Sequence, residues 1–263
     1  MRVLGVDGVR ERWLAAVLDL DTTGQRPAVC SWQVGTAVEV LAHAGAADVV
    51  AVGVDVPIGL VASGRRQADG AARCLLGRSA SSIFTTAPAG VFAVAREQLR
   101  LGPLTRHGRP EADAASRAAN GGGVSTQAWM IASKVLEVED AVRALGAAGA
   151  RVVEVHPETS FAVMAGHFGV APPPPKRTAA GVAHRLRLLQ RTLPGFDAVE
   201  ALAAVPVGRG VAGRVPVDDA LDALSAACSA LRHRFGQAEV LGAGTVAVWS
   251  DGTPAPGRAV IVV

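Results

Sequence analysis

The pattern of hydrophobic and polar positions at the start of the chain predicts a β-meander followed by a helix. Apolar residues fill three short stretches, Arg2–Val6, Trp13–Asp19 and Ala28–Val34, which turn-forming residues separate. Over Thr36–Ala46 the spacing of apolar residues becomes helical. The next stretch, Val49–Val56, is almost continuously apolar and ends before a proline, which is typical of a strand buried on both faces.

Helices and strands then alternate along the rest of the chain. Helices are predicted over Ser63–Leu76, Ser125–Leu145, Gly181–Leu193 and Asp218–Phe235, a buried strand over Arg151–Val155, and a closing hairpin from Thr245–Trp249 and Arg258–Val263. The polar, glycine-rich residues 102–123 predict a mobile loop, and the four prolines at 172–175 predict a stiff spacer. The whole pattern predicts a single α/β domain over residues 1–263, with a mixed sheet flanked by helices and a C-terminal β-hairpin.

The composition narrows the possible partners. The formal net charge of +3 permits an anionic partner without requiring one. Aromatic residues make up only 4% of the chain and tyrosine is absent, which argues against a stacking platform for single-stranded nucleic acid. Only Lys134 and Lys176 are lysines among the 26 basic residues, an arginine excess that codon bias in a GC-rich genome would also produce.

Several common kinds of site find no support in the sequence. The three cysteines are far apart, the histidines show no zinc-ligand spacing, and neither a phosphate-binding lysine loop nor a serine-hydrolase elbow is present. The N-terminal apolar run is too short for a signal peptide, and no stretch reaches the ~18 apolar residues of a membrane span. We therefore expect a cytoplasmic protein without a membrane partner. The oligomeric state stays open.

Acidic residues lie where buried elements begin or end. Asp7 follows the first predicted strand, Asp55 and Glu154 lie at the ends of apolar runs, and Asp219 and Asp222 open the last helix. Buried carboxylates are costly unless they are paired or bind a cation, and Mg²⁺ prefers oxygen ligands. Because the face of the last helix that carries both aspartates continues in alanines, we expect them at the rim of a packed surface.

Each acid also has a purely structural interpretation. Asp7 with its following glycine is typical of a turn, and Asp55 is placed to cap a loop. Glu154 is placed to pair with an arginine at the edge of the sheet. Asp219 and Asp222 favour a helix N-terminus through capping and the helix dipole.

Taken together, these motifs resemble a known family. Gly5-Val6-Asp7-Gly8, Val54-Asp55-Val56-Pro57 and Asp219-Ala220-Leu221-Asp222 are similar to the resolvase branch of the RNase H-like superfamily. More closely, the chain resembles the family called domain of unknown function 429, often described as predicted RNase H-like nucleases. The motifs that carry this resemblance are Arg65-Arg66-Gln67-Ala68-Asp69 with Arg73, Leu76-Gly77-Arg78, Ser81-Ser82-Ile83-Phe84, Ser125-Thr126-Gln127-Ala128-Trp129 with Lys134, and Glu154-Val155-His156-Pro157-Glu158.

The resemblance implies a set of catalytic acids that bind metal ions. It makes Asp7, Asp55, Asp219 and Asp222 the catalytic carboxylates, with Asp7, Asp55 and Asp222 as ligands of Mg²⁺ or Mn²⁺. Two such ions would activate a water molecule and stabilise the leaving oxygen of a phosphodiester. The resolvase branch often has glutamate where this chain has Asp55. Glu154 and Glu158 have no firm counterpart there and are possible additional acids.

Basic and polar residues on two predicted helices are candidates for binding the substrate. Arg65, Arg66 and Arg73 are suited to phosphate contacts, because a guanidinium group binds phosphate in a bidentate manner. Gln127 and Lys134 lie seven residues apart, on one face of the next helix. The structural alternatives are a solvated pair between Asp69 and Arg73 and, for Gln127, ordinary helix packing.

We therefore expect a divalent-metal-dependent nuclease that acts on nucleic acid, either DNA or RNA. One alternative is a non-catalytic binding module that keeps the fold. Another is a phosphotransferase of the actin-like type that holds a magnesium nucleotide, for which Asp7-Gly8 is a weak match and the chain is short.

Overall fold

The computed structural model describes residues 1–21, 27–206 and 215–263, so most of the turn expected after the second strand lies outside the described residues. Within these ranges the strands are β1 (Arg2–Val9), β2 (Arg12–Leu20), β3 (Pro27–Gly35), β4 (Val49–Val54), β5 (Val152–Glu154), β6 (Val240–Leu241) and β7 (Ile261–Val262). The helices are α1 (Ala37–Leu41), α2 (Gln67–Leu76), α3 (Ala89–Leu99), α4 (Arg109–Asn120), α5 (Thr126–Met130), α6 (Ala132–Ala144), α7 (Pro157–His167), α8 (Ala179–Thr192), α9 (Ala198–Ala203) and α10 (Val217–Arg234). No helix within the described ranges has the length and apolar character needed to cross a bilayer.

The predicted mixed sheet is confirmed. Its strand order is β3-β2-β1-β4-β5, with β1, β2 and β3 antiparallel to one another and β4 parallel to both β1 and β5. A small C-terminal sheet pairs β6 with β7, so the expected hairpin is present, but its first strand is not the predicted Thr245–Trp249. Val248 instead exchanges backbone hydrogen bonds with Leu60, which withdraws that stretch from pairing with the C-terminus.

The chain divides into two compact units, a division that the sequence pattern does not indicate. The first unit comprises Met1–Asp55, Ala141–Glu239 and Val262–Val263 and contains the five-stranded sheet. In this unit α10 packs across β1, β2 and β4, and its apolar face, which includes Leu221 and Leu224, is fully buried. This helix therefore forms the centre of the core, together with α7 and α8.

The second unit comprises Val56–Asp140 and Val240–Ile261 and consists mainly of helices. A buried polar group holds part of it together: the carboxylate of Glu139 accepts hydrogen bonds from the backbone N–H and the hydroxyl of Ser250. Arg96 donates to the same carboxylate at 3.2 Å. Because the charge is paired and hydrogen-bonded, Glu139 is tolerated inside the unit.

Two further predicted elements were wrong in type or extent. The residues 102–123, expected to be a mobile loop, contain the regular helix α4, because alanines dominate Arg109–Asn120 and Gly121 ends the helix in a left-handed conformation. The long helix expected over Ser125–Leu145 is broken at Ile131 into α5 and α6.

Candidate metal centre

The pairing of β1 with β4 brings Asp7 and Asp55 to the same edge of the sheet. The parallel register ends at the pair Val6 and Val54, and each aspartate is the next residue in its strand direction. The backbone N–H of Asp55 continues the ladder by donating to the carbonyl of Val6 at 2.9 Å. The carboxyl ends of neighbouring parallel strands meet at one edge, which is why two distant aspartates become neighbours.

Helix α10 supplies the third aspartate because two glycines let it approach the sheet closely. A Cβ on Gly5 of β1 would overlap the backbone of Ala223 and Ala227, and a Cβ on Gly53 of β4 would overlap the carbonyl of Ala226. Asp222 directly precedes Ala223 and is only 3% exposed. The helix therefore carries the Asp222 carboxylate into the sheet edge rather than into solvent.

Asp7, Asp55 and Asp222 form one group, which we call the acid cluster. One carboxylate oxygen from each residue lies within 4.8 Å of the others, the spacing at which a single ion can contact all of them. Asp7 is further fixed because its Oδ1 accepts a hydrogen bond from the N–H of Gly8 at 2.6 Å. Among the described residues, the structure thus brings together the three acids that the sequence analysis proposes as metal ligands.

Burial raises the pKa of every acid in the cluster, and repulsion by other acids of the cluster raises the pKa of Asp7 and Asp55 further. For Asp7 the main cause is burial, followed by the charges of Asp55, Asp222 and Asp219. The pKa of Asp55 is also raised well above its usual range, by burial and then by Asp222. Burial raises the pKa of Asp222 to about 6, although Lys176 works in the opposite direction. A bound cation would relieve both causes, since it replaces lost hydration and offsets the repulsion.

The donor set fits a hard divalent cation. All three side chains offer carboxylate oxygen, the ligand type that Mg²⁺ and Mn²⁺ prefer. Oδ1 of Asp222 is buried and has no hydrogen-bond partner among the described residues, which is an expensive state for a carboxylate oxygen. A metal ligand is the role that best accounts for this atom.

The other predicted acids lie outside the acid cluster. Asp219 begins the same helix and its charge reaches Asp7, but it is not one of the three closely grouped carboxylates. Glu154 pairs in register with Val54, is almost fully buried, and raises the pKa of Asp55. Both carboxylate oxygens of Glu158 instead accept from Nη2 of the buried Arg185, at 2.9 and 2.8 Å.

The predicted phosphate-binding arginines of the second unit differ in their surroundings. Arg66 is 1% exposed, donates to Thr86 and pairs with Asp69, so its guanidinium group is engaged within the protein although the residue borders a pocket. Arg73 donates to the carbonyl of Ile83 and does not form the ion pair with Asp69 that was the structural alternative, since the Asp69 carboxylate accepts from the N–H of Thr86 and pairs with Arg66. Arg65, by contrast, is exposed.

Arg65 and Gln127 lie at a common cavity within the second unit. Both line an open pocket of about 300 Å³, whose wall also includes Thr85 and Ser125. Arg65, Arg66 and Arg73 line a smaller adjoining pocket of about 190 Å³. The two pockets thus bring together four of the predicted substrate-binding residues, of which Arg66 is buried, whereas Lys134 lines neither pocket.

Lys176 is a component of the site that the sequence analysis missed. Its Nζ donates to Oδ2 of Asp222 at 2.5 Å. Burial lowers the pKa of Lys176, but Asp222, Asp7 and Asp55 together raise it above its ordinary value. Lys176 also lines an open cavity of about 560 Å³ with Asp218 and Asp219. The only sequence signal was a rare lysine directly after the proline run.

Comparison with known proteins gives a family for the chain. No curated protein and no solved structure matches it. The model of one family, described as a protein of unknown function (DUF429), matches residues 5–246, which include the whole acid cluster and both arginine-lined pockets. Because this match covers most of the sequence, the chain belongs to the DUF429 family.

Proposed function

We propose that this protein is a divalent-metal-dependent nuclease that hydrolyses phosphodiester bonds in nucleic acid. The observation that carries the proposal is the acid cluster, in which carboxylates from β1, the end of β4 and α10 converge within 4.8 Å. Mg²⁺ or Mn²⁺ held there by Asp7, Asp55 and Asp222 would supply a Lewis acid and an activated water molecule.

The placement of the acids supports this reaction class. The resemblance to the resolvase branch implies one acid at the first strand, one at the fourth strand and a pair at the start of the last helix. Asp7 lies in β1, Asp55 directly follows β4, and Asp219 and Asp222 lie in the first turns of α10. In the proposal, Asp219 acts near the cluster without being one of its close ligands.

The second unit is proposed to bind the substrate backbone. Arg65 is exposed at a pocket that also contains Gln127, and Arg73 borders the adjoining pocket. Exposed guanidinium groups are suited to phosphate, and hydroxyl and amide groups commonly contact the nucleic-acid backbone. We also propose a cytoplasmic location, which the free thiols of Cys30, Cys74 and Cys228 support.

Thermal unfolding with increasing Mg²⁺ or Mn²⁺ tests metal binding. A cation that binds only the folded protein should stabilise it by about 2.7 kcal/mol at 100 times its Kd. Asp7→Asn should abolish most of this gain, because it removes one ligand charge. Asp48→Asn is the matched control, since it makes the same chemical change at an exposed aspartate in the same unit.

Cleavage assays on labelled single- and double-stranded DNA and RNA then test catalysis. Wild type should cleave at least one substrate with Mg²⁺ or Mn²⁺, and Asp7→Asn should not. Metal binding without cleavage of any substrate would favour the binding module. Hydrolysis restricted to nucleoside triphosphates would favour the phosphotransferase alternative, and indifference to both metals would contradict the metal site.

A further inference from the structure

A positively charged side chain already lies in the acid cluster. The ammonium group of Lys176 contacts Oδ2 of Asp222, and the buried Oδ1 has no hydrogen-bond partner in the part of the chain that the structure describes. One carboxylate can therefore face two cations at once, the lysine through one oxygen and a metal through the other. Lys176 and a metal ion need not exclude each other.

The charges of the cluster limit how many metal ions it holds. Carboxylates bind metal in their ionised form, so three of them contribute a charge of −3 and Lys176 reduces this to −2. One divalent ion balances the charge of these four groups. A second ion would also have to share Asp222, whose Oδ2 the ammonium group already contacts, and that group would repel it even though Glu154 and Asp219 add negative charge nearby.

The segment that carries Lys176 is held in place by several contacts. Arg185 donates to the carbonyl of Pro174 at 2.8 Å through Nη1, and its Nη2 donates to both carboxylate oxygens of Glu158. The hydroxyl of Thr178 donates to the carbonyl of Pro175 at 2.8 Å and also caps helix α8. Contacts on both sides of Lys176 thus restrict the backbone that places its ammonium group.

These contacts also give Glu158 a role. Its carboxylate is paired with Arg185, which holds the proline segment before Lys176, so Glu158 helps to position Lys176 in addition to the direct effect of its charge on Asp55 and Asp222. The family resemblance alone left this acid without a role. Glu158 and Arg185 are therefore positioning residues in this account.

We infer that Lys176 fills one cation position of the acid cluster, so that the protein without substrate binds one divalent ion rather than the two that the resemblance implies. The inference rests on the proposed function, because it takes the acid cluster to be a metal site. In this arrangement the ammonium group of Lys176 provides positive charge that a second metal ion would otherwise provide.

Isothermal titration with Mn²⁺ tests this directly. Wild type should bind one Mn²⁺ per chain. Lys176→Gln, which keeps a donor for Asp222 but removes the charge, should bind Mn²⁺ at least about tenfold more tightly, because a neighbouring positive charge is lost. Lys134→Gln makes the same substitution at the other lysine of the chain, which is not part of the acid cluster, and should leave the stoichiometry and affinity of Mn²⁺ binding unchanged.

The outcomes separate the inference from the proposed function. Two Mn²⁺ ions per wild-type chain, or an unchanged or weaker affinity in Lys176→Gln, would overturn the inference while leaving the metal site in place. No Mn²⁺ binding by any of the proteins would contradict the proposed function itself. The wild-type stoichiometry needs no variant, so the inference stays testable if Lys176→Gln fails to fold.

Discussion

Gly5 in β1 lies directly against Ala223 in α10, so closely that a Cβ on Gly5 would overlap the carbonyl oxygen of Ala223. Since Asp222 is the residue before Ala223, this contact sets how near its carboxylate comes to Asp7. The spacing of the three carboxylates therefore depends on Gly5, which has no side chain that could take part in the reaction.

Replacing Gly5 should disturb both stability and the site. We expect Gly5→Ala to lower the free energy of unfolding by about 1–3 kcal/mol or more, because the added methyl group meets backbone that cannot move aside cheaply. The same variant should lose much of the stabilisation by Mn²⁺. Urea unfolding with and without Mn²⁺ measures both effects.

Gly166→Ala is the matched control for that experiment. Gly166 lies in α7 with open space around its Cβ position, so alanine there should be neutral or stabilising by up to about 1 kcal/mol. Equal effects of the two substitutions would show that the approach of α10 to β1 is not tightly constrained.

Replacing the adjacent arginines Arg65 and Arg66 one at a time should have different effects, the first on nucleic-acid binding and the second on stability. Arg65→Ala should weaken nucleic-acid binding and reduce the salt slope by about one unit, because an exposed guanidinium group is the one able to contact phosphate. Its unfolding should change little. Fluorescence anisotropy at several salt concentrations measures the slope.

Arg66→Ala should behave in the opposite way. Arg66 is buried with Asp69 and Thr86, and removing it leaves a buried carboxylate without its ionic partner. We expect a loss of about 3–5 kcal/mol in unfolding free energy. If Arg66→Ala unfolded like wild type and Arg65→Ala bound nucleic acid like wild type, the assignment of the two arginines would be wrong.

The metal-free protein should become less stable as the pH rises through the range where the cluster ionises. The folded pKa of Asp7 is raised by burial and neighbouring acids, so above an unfolded pKa of about 3.9 the folded state binds more protons than the unfolded state. The contribution of Asp7 to the stability is therefore present at low pH and is lost as the pH rises.

Asp7→Asn should remove this loss, because asparagine does not ionise and still accepts the hydrogen bond from Gly8. At pH 7 without metal, we expect the variant to be more stable than wild type by on the order of 1 kcal/mol. The advantage should shrink toward pH 4. A variant that is less stable than wild type at pH 7 would contradict the repulsion assigned to Asp7.

Metal binding should show the reverse dependence on pH. Carboxylates must lose their protons to bind metal, and the pKa of Asp222 is raised to about 6. We expect the Mn²⁺-induced rise in melting temperature to diminish as the pH falls through 6. An Mn²⁺ effect that is constant from pH 8 to pH 5 would place the ion elsewhere.

The sequence predicts the sheet and its acids well because the relevant signals are local. The alternating and continuous apolar runs mark β1 to β5, and strand ends locate Asp7 and Asp55. The face of the last helix also indicates a packed position for Asp222, which the structure shows to be 3% exposed. These features depend on periodicity and on nearby residues.

The features that the sequence misses depend on tertiary contacts or on residues with weak signals. Alanines in α4 do not look apolar enough to mark a helix, although alanine is the best helix former. The burial of Arg66 and the contact of Lys176 with Asp222 each depend on a partner in another element. No pattern within one segment encodes such pairs.

A crystal soaked with Mn²⁺ and measured for anomalous scattering tests the central claim most directly. The account predicts an anomalous peak within coordination distance of carboxylate oxygens from Asp7, Asp55 and Asp222, and its absence from Asp7→Asn crystals. A peak that contacts none of these residues, or no peak at saturating Mn²⁺, would contradict the metal centre and the function built on it.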